Sequence, residues 1–250
     1  MSQQGKYRAP ALQKGLEILE LLAPLPHPMS MGDISAALGR SVSEIFRMLL
    51  VLEEHGYIAR SGEGYRITNR LFSLGMAQPP IQDLLGHALP AMRELAQRIG
   101  QSCHLAMASG HQMVVVANVE TPGLLGFAVR MGYQRPLIHS ASGHVLMAFQ
   151  IEDARAEMFR ATDVAGLEVD RPKLEAELGR VRRAGYITFA SPMLTAITDI
   201  SAPVMRGATV EAALTVPFVD GPSAKIDMAG VRQALLETTA ALSTALSGTV

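Results

Sequence analysis

Residues Ser30–Thr68 read SMGDISAALGRSVSEIFRMLLVLEEHGYIARSGEGYRIT, and this stretch decides how the chain begins to fold. Ser30 stands three positions before Asp33, a variant of the capping box in which a hydroxyl receives an orphan backbone N–H of the first turn. The helix it opens carries Ile34, Ala37 and Leu38 on one face and stops at Gly39, a residue that tolerates positive φ. Ser41 caps a second helix, in which Val42, Ile45, Leu49 and Leu52 recur at helical spacing and predict one buried stripe. Gly56 ends it. Tyr57, Ile58 and Ala59 read as a strand, Ser61-Gly62-Glu63-Gly64 as a turn, and Tyr65, Arg66 and Ile67 as the returning strand. Upstream, Leu12, Leu16 and Leu19, with Ile18 and Leu22 beside them, mark an earlier helix. Helices followed by a two-stranded ribbon are the order of a winged helix-turn-helix, a shape that fits the DNA major groove.

The polar side of the Ser41 helix is where base contact is expected. Ser41, Ser43, Glu44 and Arg47 lie near its N-terminus, the end that meets base edges in such folds, and Ser43 and Arg47 share a face one turn apart. Arginine reads guanine and also grips phosphate. Arg60 and Arg66 flank the ribbon tip as wing residues that reach the DNA backbone. Lys6, Arg8 and Lys14 precede the first acid, Glu17, as a small basic arm. The candidate DNA-binding residues are therefore Arg8, Ser41, Ser43, Glu44, Arg47, Arg60 and Arg66. Two alternatives stay open: Arg47 pairs with Glu44 three residues earlier on the helix surface, and Glu44 either reads a cytosine amine or restrains nonspecific binding.

Composition bounds the rest. With 250 residues and 48% hydrophobic content, the chain has material for one large domain or two smaller ones. The net charge of −1 is no basic footprint. Residues 1–70 hold 8 Lys/Arg and 7 Asp/Glu, so one copy binds DNA weakly by charge alone, and an oligomer presenting several copies is expected. The single cysteine, Cys103, excludes an internal disulfide and suits a reducing cytoplasm. The start, Met1-Ser2-Gln3-Gln4-Gly5-Lys6, has no apolar core of a signal peptide, and no apolar run reaches the length of a membrane span.

Along the chain, Gln78-Pro79-Pro80 stops a helix that begins near Asn69 and should kink the connection that continues from Ile81. An amphipathic helix follows, with Leu89, Met92, Leu95, Ala96 and Ile99, closed by Gly100. Strands are expected at Cys103–Ala108, Met113–Val119, Leu125–Met131, Tyr186–Phe189, Thr198–Val204 and Thr209–Val216. Helices are expected from Ala141 to Phe149, from Arg171 to Ala184, and after Pro222-Ser223 to the end. That alternation implies an α+β or α/β sandwich.

Catalytic patterns are missing: there is no G-x-S-x-G elbow, no P-loop and no dinucleotide fingerprint. Cys103 and His104 are adjacent, so on a strand they face opposite ways and do not share a thiol or metal site. His139 and His144 flank Ser140-Ala141-Ser142-Gly143, where small residues ahead of a helix leave N–H groups free for an anion such as a carboxylate. The competing reading is that small residues simply allow the helix to pack closely on a sheet. Met131, Met147 and Met193 suit an adaptable apolar cavity, or plain core.

Two sets of residues resemble the IclR family of bacterial transcriptional regulators. The first runs from Ala11 to Gly75: Leu12, Gly15, Leu16, Ile18 and Leu19; Ile34, Leu38 and Gly39; Arg47, Leu49, Leu52, Glu53, Gly56 and Tyr57; Tyr65, Arg66, Ile67 and Leu74. The second comprises Arg135-Pro136-Leu137, Ser140-Ala141-Ser142-Gly143, Leu146 to Phe149, Gly185-Tyr186 and Ile200-Ser201-Ala202-Pro203-Val204. The resemblance implies a multidomain α/β chain: a winged helix-turn-helix DNA-binding domain at 1–68, a linker helix region at 69–86, and a GAF-like α+β sandwich at 87–250 that binds effector and oligomerises. It implies a cytoplasmic homodimer or homotetramer, a pseudo-palindromic double-stranded operator, a small organic or aromatic acid as effector, and either repression or activation. No cofactor, metal or catalytic residue is expected.

Carried over onto matching positions, the effector candidates are Met131, His139, Ser140, Ala141, Ser142, Asp199, Ser201 and Thr215. Departures from the family pattern are Ala196 in place of a frequent glycine, His144 in place of Lys or Arg, and Thr215 and Pro217 where some members carry serines. Pro217 offers neither hydroxyl nor N–H, which weakens a rim built on hydroxyls. Rival readings are an enzyme acting on a small acid and a ligand-independent DNA-binding scaffold, the latter having no pocket at Ser140–Gly143.

Overall fold

The computed structural model describes residues 9–121, 127–191, 196–220 and 226–248. Lys6, Arg8, Leu125 and Met193 lie outside them. The chain forms two compact units, Met1–Gln82 and Asp83–Val250.

In the first unit, α1 (Pro10–Leu22) opens on a proline, whose missing N–H costs nothing in a first helical turn. It buries Ile18, Leu19 and Leu22, but Leu12 and Leu16 remain 64% and 50% exposed, so the helix is buried only in its last turns. Helix α2 (Met31–Leu38) begins as expected, with Ser30 Oγ accepting the Asp33 N–H at 3.2 Å, and ends at Gly39 in a left-handed conformation. Helix α3 (Val42–Glu54) has a reciprocal capping box between Ser41 and Glu44. Its stripe is narrower than expected: Ile45 and Leu49 are fully buried, Leu52 is half-buried, and Val42 in the first turn is 49% exposed.

Strands β1 (Ile58–Ser61) and β2 (Gly64–Ile67) pair antiparallel, with Ala59 opposite Arg66 and Arg60 opposite Tyr65. A third partner was not legible beforehand: Met29 exchanges two backbone hydrogen bonds with Tyr65, at 3.0 and 2.9 Å. The chain comes so close there that a Cβ at Gly64 would lie 2.9 Å from Pro28 Cβ. Helix α4 (Arg70–Met76) follows. The two prolines do not kink a continuous connection. They are the first residues of α5 (Pro79–Ile99), which merges the two helical stretches expected separately and runs through Pro90.

The second unit is a three-layer sandwich around a six-stranded sheet with strand order β5-β4-β3-β8-β7-β6, antiparallel throughout. The strands are β3 (Cys103–Ser109), β4 (Gln112–Val119), β5 (Gln134–Pro136), β6 (Ile187–Ala190), β7 (Ile197–Arg206) and β8 (Thr209–Val219). One face carries Cys103, Leu105, Ile200, Ala202, Leu214 and Val216, packed on Leu84, Met92, Leu95 and Ile99 of α5 and on Val231, Leu235 and Leu242 of α9 (Met228–Ser247). The other carries Ala106, Met113, Val115 and Ala213 under α6 (Ala141–Ala148), α7 (Glu152–Val164) and α8 (Arg171–Ala184). Alternation along the strands sorts the two cores, as period-two side chains must.

Two expectations fail here. Residues 127–131 form no strand; the edge strand is the short Gln134–Pro136. Helix α7 was not expected, because it buries only Met158, Phe159 and Thr162 and its apolar stripe is thin.

Candidate nucleic-acid interface and ligand cavity

The capping box decides what the start of α3 presents. Glu44 receives Lys14 Nζ of α1 at 2.5 Å and the Ser41 hydroxyl at 3.0 Å. These bonds hold its carboxyl down at about 2. Glu44 is thus engaged in capping and in an ion pair. Its pairing with Arg47 does not occur, and Lys14 belongs to this pair rather than to a free basic arm. Arg40, in the turn before α3, is held by Glu17 of α1 at 2.7 Å. With both ends of the turn tied to α1, the exposed face of α3 offers Ser43 and Arg47.

The wing arginines separate. Register puts Arg60 on the face of Ile58, Tyr65 and Ile67, where its guanidinium lies over the Tyr65 ring at 5.3 Å and reaches Glu53 at 3.5 Å. Arg66, paired with Ala59, is on the opposite face and exposed. Among the described residues of this unit, Arg47, Arg66 and Arg70 are exposed cations with no carboxylate within 4 Å.

The second unit contains a cavity of about 340 Å³ on the α6 side of its sheet. Its walls are mostly apolar, from Met113, Phe127, Val129, Tyr133, Ala141 and Phe189. The polar lining comprises Arg130, Arg135, His104, His139, Ser140, Ser142, Ser191 and Asp199. Of the residues singled out from sequence, His139, Ser140, Ala141, Ser142 and Asp199 line this cavity. Met131 does not: it is 62% exposed and stands in a turn. Ser201 and Thr215 do not line it either, being wholly buried behind Ser142. His144 turns away, with Nε2 donating to the Ile138 carbonyl at 3.0 Å and Nδ1 3.4 Å from Glu177.

The two readings of the Ser140–Gly143 segment divide by residue. Ser140 caps α6 by accepting the Gly143 N–H at 3.1 Å, and Ala141 and Ser142 face the cavity. Gly143 serves packing: a Cβ there would meet the Leu137 carbonyl oxygen at 2.1 Å. Met147 is fully buried core.

His104, Arg130 and Arg135 are among the lining residues that sequence reasoning did not single out as sites. Arg135 was visible only as part of the Arg-Pro-Leu motif, and His104 only as a neighbour of Cys103. The strand places those two neighbours oppositely. Cys103 enters the α5 side, where burial pushes its thiol up to about 12, and His104 enters the cavity side. Burial lowers His104 to about 4, so its ring is neutral, and Nδ1 has no hydrogen-bond partner. Burial raises Asp199 to about 6, with Arg135 pulling the other way. The cross-strand neighbours of Asp199 are Phe189 and Pro217, whose side chains donate no hydrogen bond to offset that burial. Arg135 is half-buried and has no carboxylate within 4 Å among the described residues. No three His, Cys, Asp or Glu side chains gather as a metal site among them, and no helix there is long and apolar enough to cross a membrane.

A winged helix-turn-helix and a cavity-bearing sandwich in one chain define a class, the ligand-responsive DNA-binding regulators. Residues 11–62 match the IclR helix-turn-helix domain, and residues 81–247 match the family described as bacterial transcriptional regulator IclR C-terminal. The chain belongs to the IclR family of bacterial transcriptional regulators, a family of DNA-binding proteins and not of enzymes. It is 27% identical over 243 residues to the transcriptional regulator XynR of Escherichia coli K12, covering 94% of this chain and 96% of that one. The transcriptional repressor AllR of the same organism is 25% identical over 225 residues, covering 87% and 82%. Among solved structures, an IclR homologue from Microbacterium hydrocarbonoxydans complexed with 4-hydroxybenzoate superposes with a TM-score of 0.76 at 21% identity, covering 94% and 98%. HmgR of Pseudomonas aeruginosa superposes at 0.69 with 25% identity, covering 94% and 97%.

Proposed function

We propose that the cavity on the α6 side is the effector site of this regulator, and that its effector is a small organic acid. The observation that carries this reading is Arg135, a half-buried guanidinium without a carboxylate partner at the edge of a largely apolar cavity. A carboxylate there gains a charge-assisted pair, and the free N–H groups at the start of α6 add to it. The apolar walls suit an aromatic or short aliphatic body. The 4-hydroxybenzoate held by the Microbacterium homologue supports the same class of ligand. His139, Ser140, Ala141, Ser142 and Asp199 are the lining candidates retained from the sequence; Ser201 and Thr215 act from behind the wall.

On the DNA side, Ser43 and Arg47 read base edges and Arg66 grips phosphate, with Arg8 of the N-terminal arm as a further contact. Residues 1–68 form the DNA-binding part, 69–86 the connection and 87–250 the effector and oligomerisation part. Weak single-copy charge calls for a homodimer or homotetramer on a pseudo-palindromic operator. Leu12 and Leu16, exposed one turn apart on α1, support self-association through that helix. Effector controls DNA binding by preferring one arrangement of the assembly over another.

The test is thermal shift with a panel of small carboxylic acids on the full chain and on Arg135→Gln. Acids raise the melting temperature of the parent, and the variant loses that response while keeping its own fold. A panel that stabilises both proteins equally removes Arg135 from the site.

A further inference from the structure

The three hydroxyls behind the cavity wall have an ordered proton direction. Ser142 Oγ is 2.9 Å from Thr215 Oγ1, and Thr215 Oγ1 donates to Ser201 Oγ at 2.8 Å. A hydroxyl has one proton. Thr215 spends its proton on Ser201, so the Ser142–Thr215 bond needs the proton of Ser142. Ser142 lines the cavity and is left with lone pairs only.

The sheet places further polar groups alongside. Thr215 is paired with His104 on β3 and with Ser201 on β7, and Asp199 stands two residues from Ser201, so all four side chains share the face beneath α6. Asp199 has neither a hydrogen bond nor a cation within 4 Å among the described residues, and an ionised carboxylate only accepts. His104 is 3% exposed, lines the same cavity, and its Nδ1 is without a partner.

We infer that the cavity selects effectors carrying, besides the carboxylate, a hydrogen-bond donor, a hydroxyl or an N–H, and that Thr215 sets this polarity by holding the proton of Ser142. This rests on reading the cavity as the effector site and Arg135 as the carboxylate anchor. A donor satisfies Ser142 or Asp199, and a hydroxyl also satisfies the open nitrogen of His104. A methyl or halogen in its place leaves buried acceptors unpaired, and a second carboxylate meets Asp199. Thr215 is a positioning residue: replaced by valine of the same shape, it releases the Ser142 proton, and Ser142 becomes able to donate to a ligand.

The experiment is calorimetric titration of the full chain at pH 7.5 with matched acids. The aromatic set is 4-hydroxy-, 4-amino-, 4-methyl-, 4-fluoro- and 4-nitrobenzoate, and the aliphatic pair is 4-hydroxybutanoate and pentanoate. Donor-bearing members bind at least about tenfold tighter than their methyl counterparts. In Thr215→Val the ratio falls below about threefold and 4-nitrobenzoate gains; Asp199→Asn, which supplies an N–H donor in the same volume, moves both readings the same way. Acids that bind without regard to the donor overturn the inference and leave the acid site standing. Phenol and 4-methylphenol binding as tightly as their acids overturn the Arg135 anchor and leave the donor rule standing. Failure of every member of both sets to bind the folded protein overturns both.

Discussion

Lys14 of α1 grips Glu44 in the first turn of α3, with Nζ 2.5 Å from Oε1. The same carboxylate closes the capping box with Ser41. An acid that in sequence looked set to face DNA phosphates is therefore balanced before DNA arrives. Lys14→Met exposes that charge and weakens binding to DNA selected by the protein from a random pool by about threefold to tenfold. Glu44→Gln, which keeps the cap's shape, changes affinity little, and the double variant returns close to the parent. Fluorescence anisotropy at fixed salt measures all three; an effect of Lys14→Met that persists in the double variant assigns Lys14 to phosphate instead.

Arg47, Arg66 and Arg60, three exposed arginines of the first unit, rank by what already holds them. Arg47→Ala costs about 1–3 kcal/mol of specific binding and relaxes discrimination at one base position. Arg66→Ala weakens binding evenly across sequences and reduces the salt slope by about one. Arg60→Ala has the smallest effect on DNA, because Arg60 is occupied by Glu53 and the Tyr65 ring. Salt-dependent affinities on specific and scrambled duplexes separate these outcomes.

Asp199 makes the effector unit's stability depend on pH. Its carboxyl titrates at about 6 when folded, against 3.8 as its ordinary value, so the folded state binds the proton more tightly. The charged form is penalised above about 6, and the penalty fades as pH falls towards 3.8. Asp199→Asn removes the penalty: the variant melts higher than the parent at pH 7.5, by up to about 3 kcal/mol at roughly 1.4 kcal/mol per tenfold. The gap closes by about pH 4. Calorimetric scans of both proteins across that range check the sign.

Gly143→Ala is expected to destabilise the effector unit by about 1–3 kcal/mol or more, since the new methyl meets Leu137 backbone and not a movable side-chain tip. Ser142→Ala, one position earlier, costs less than about 1.5 kcal/mol, because it removes one hydrogen bond and adds no clash. Urea melts of the two variants compare them directly.

Leu16→Glu puts a charge on the exposed face of α1 without touching the buried Ile18, Leu19 and Leu22. Sedimentation analysis should find a smaller assembly and a weakened complex with palindromic DNA, while circular dichroism stays that of the parent. Unchanged sedimentation places self-association elsewhere.

By itself the sequence determined the winged helix-turn-helix and the layered second unit. Both are written in local signals: the caps at Ser30 and Ser41, the left-handed glycine at position 39, and side-chain periods of 3.6 and 2. Local signals could not say how much of an apolar face is covered, so Val42 was expected inside and lies outside, and Leu12 and Leu16 are exposed as well. They also gave no sign of thin helices such as α7. The partner of a charge is decided by packing between elements distant in sequence. Only the tertiary structure joins Lys14 to Glu44, lays Arg60 against Tyr65 and Glu53 with Arg66 on the opposite face, and brings His104, Asp199, Ser201 and Thr215 beneath α6, which contributes Ser142. The register of β3, β8 and β7 does this last work, and a register is a relation between strands more than 80 residues apart in the chain for β3 and β7. Residues that looked like a list of effector contacts are thus sorted by the sheet into a wall, with Ser142 and Asp199, and a layer behind it, with Thr215 and Ser201.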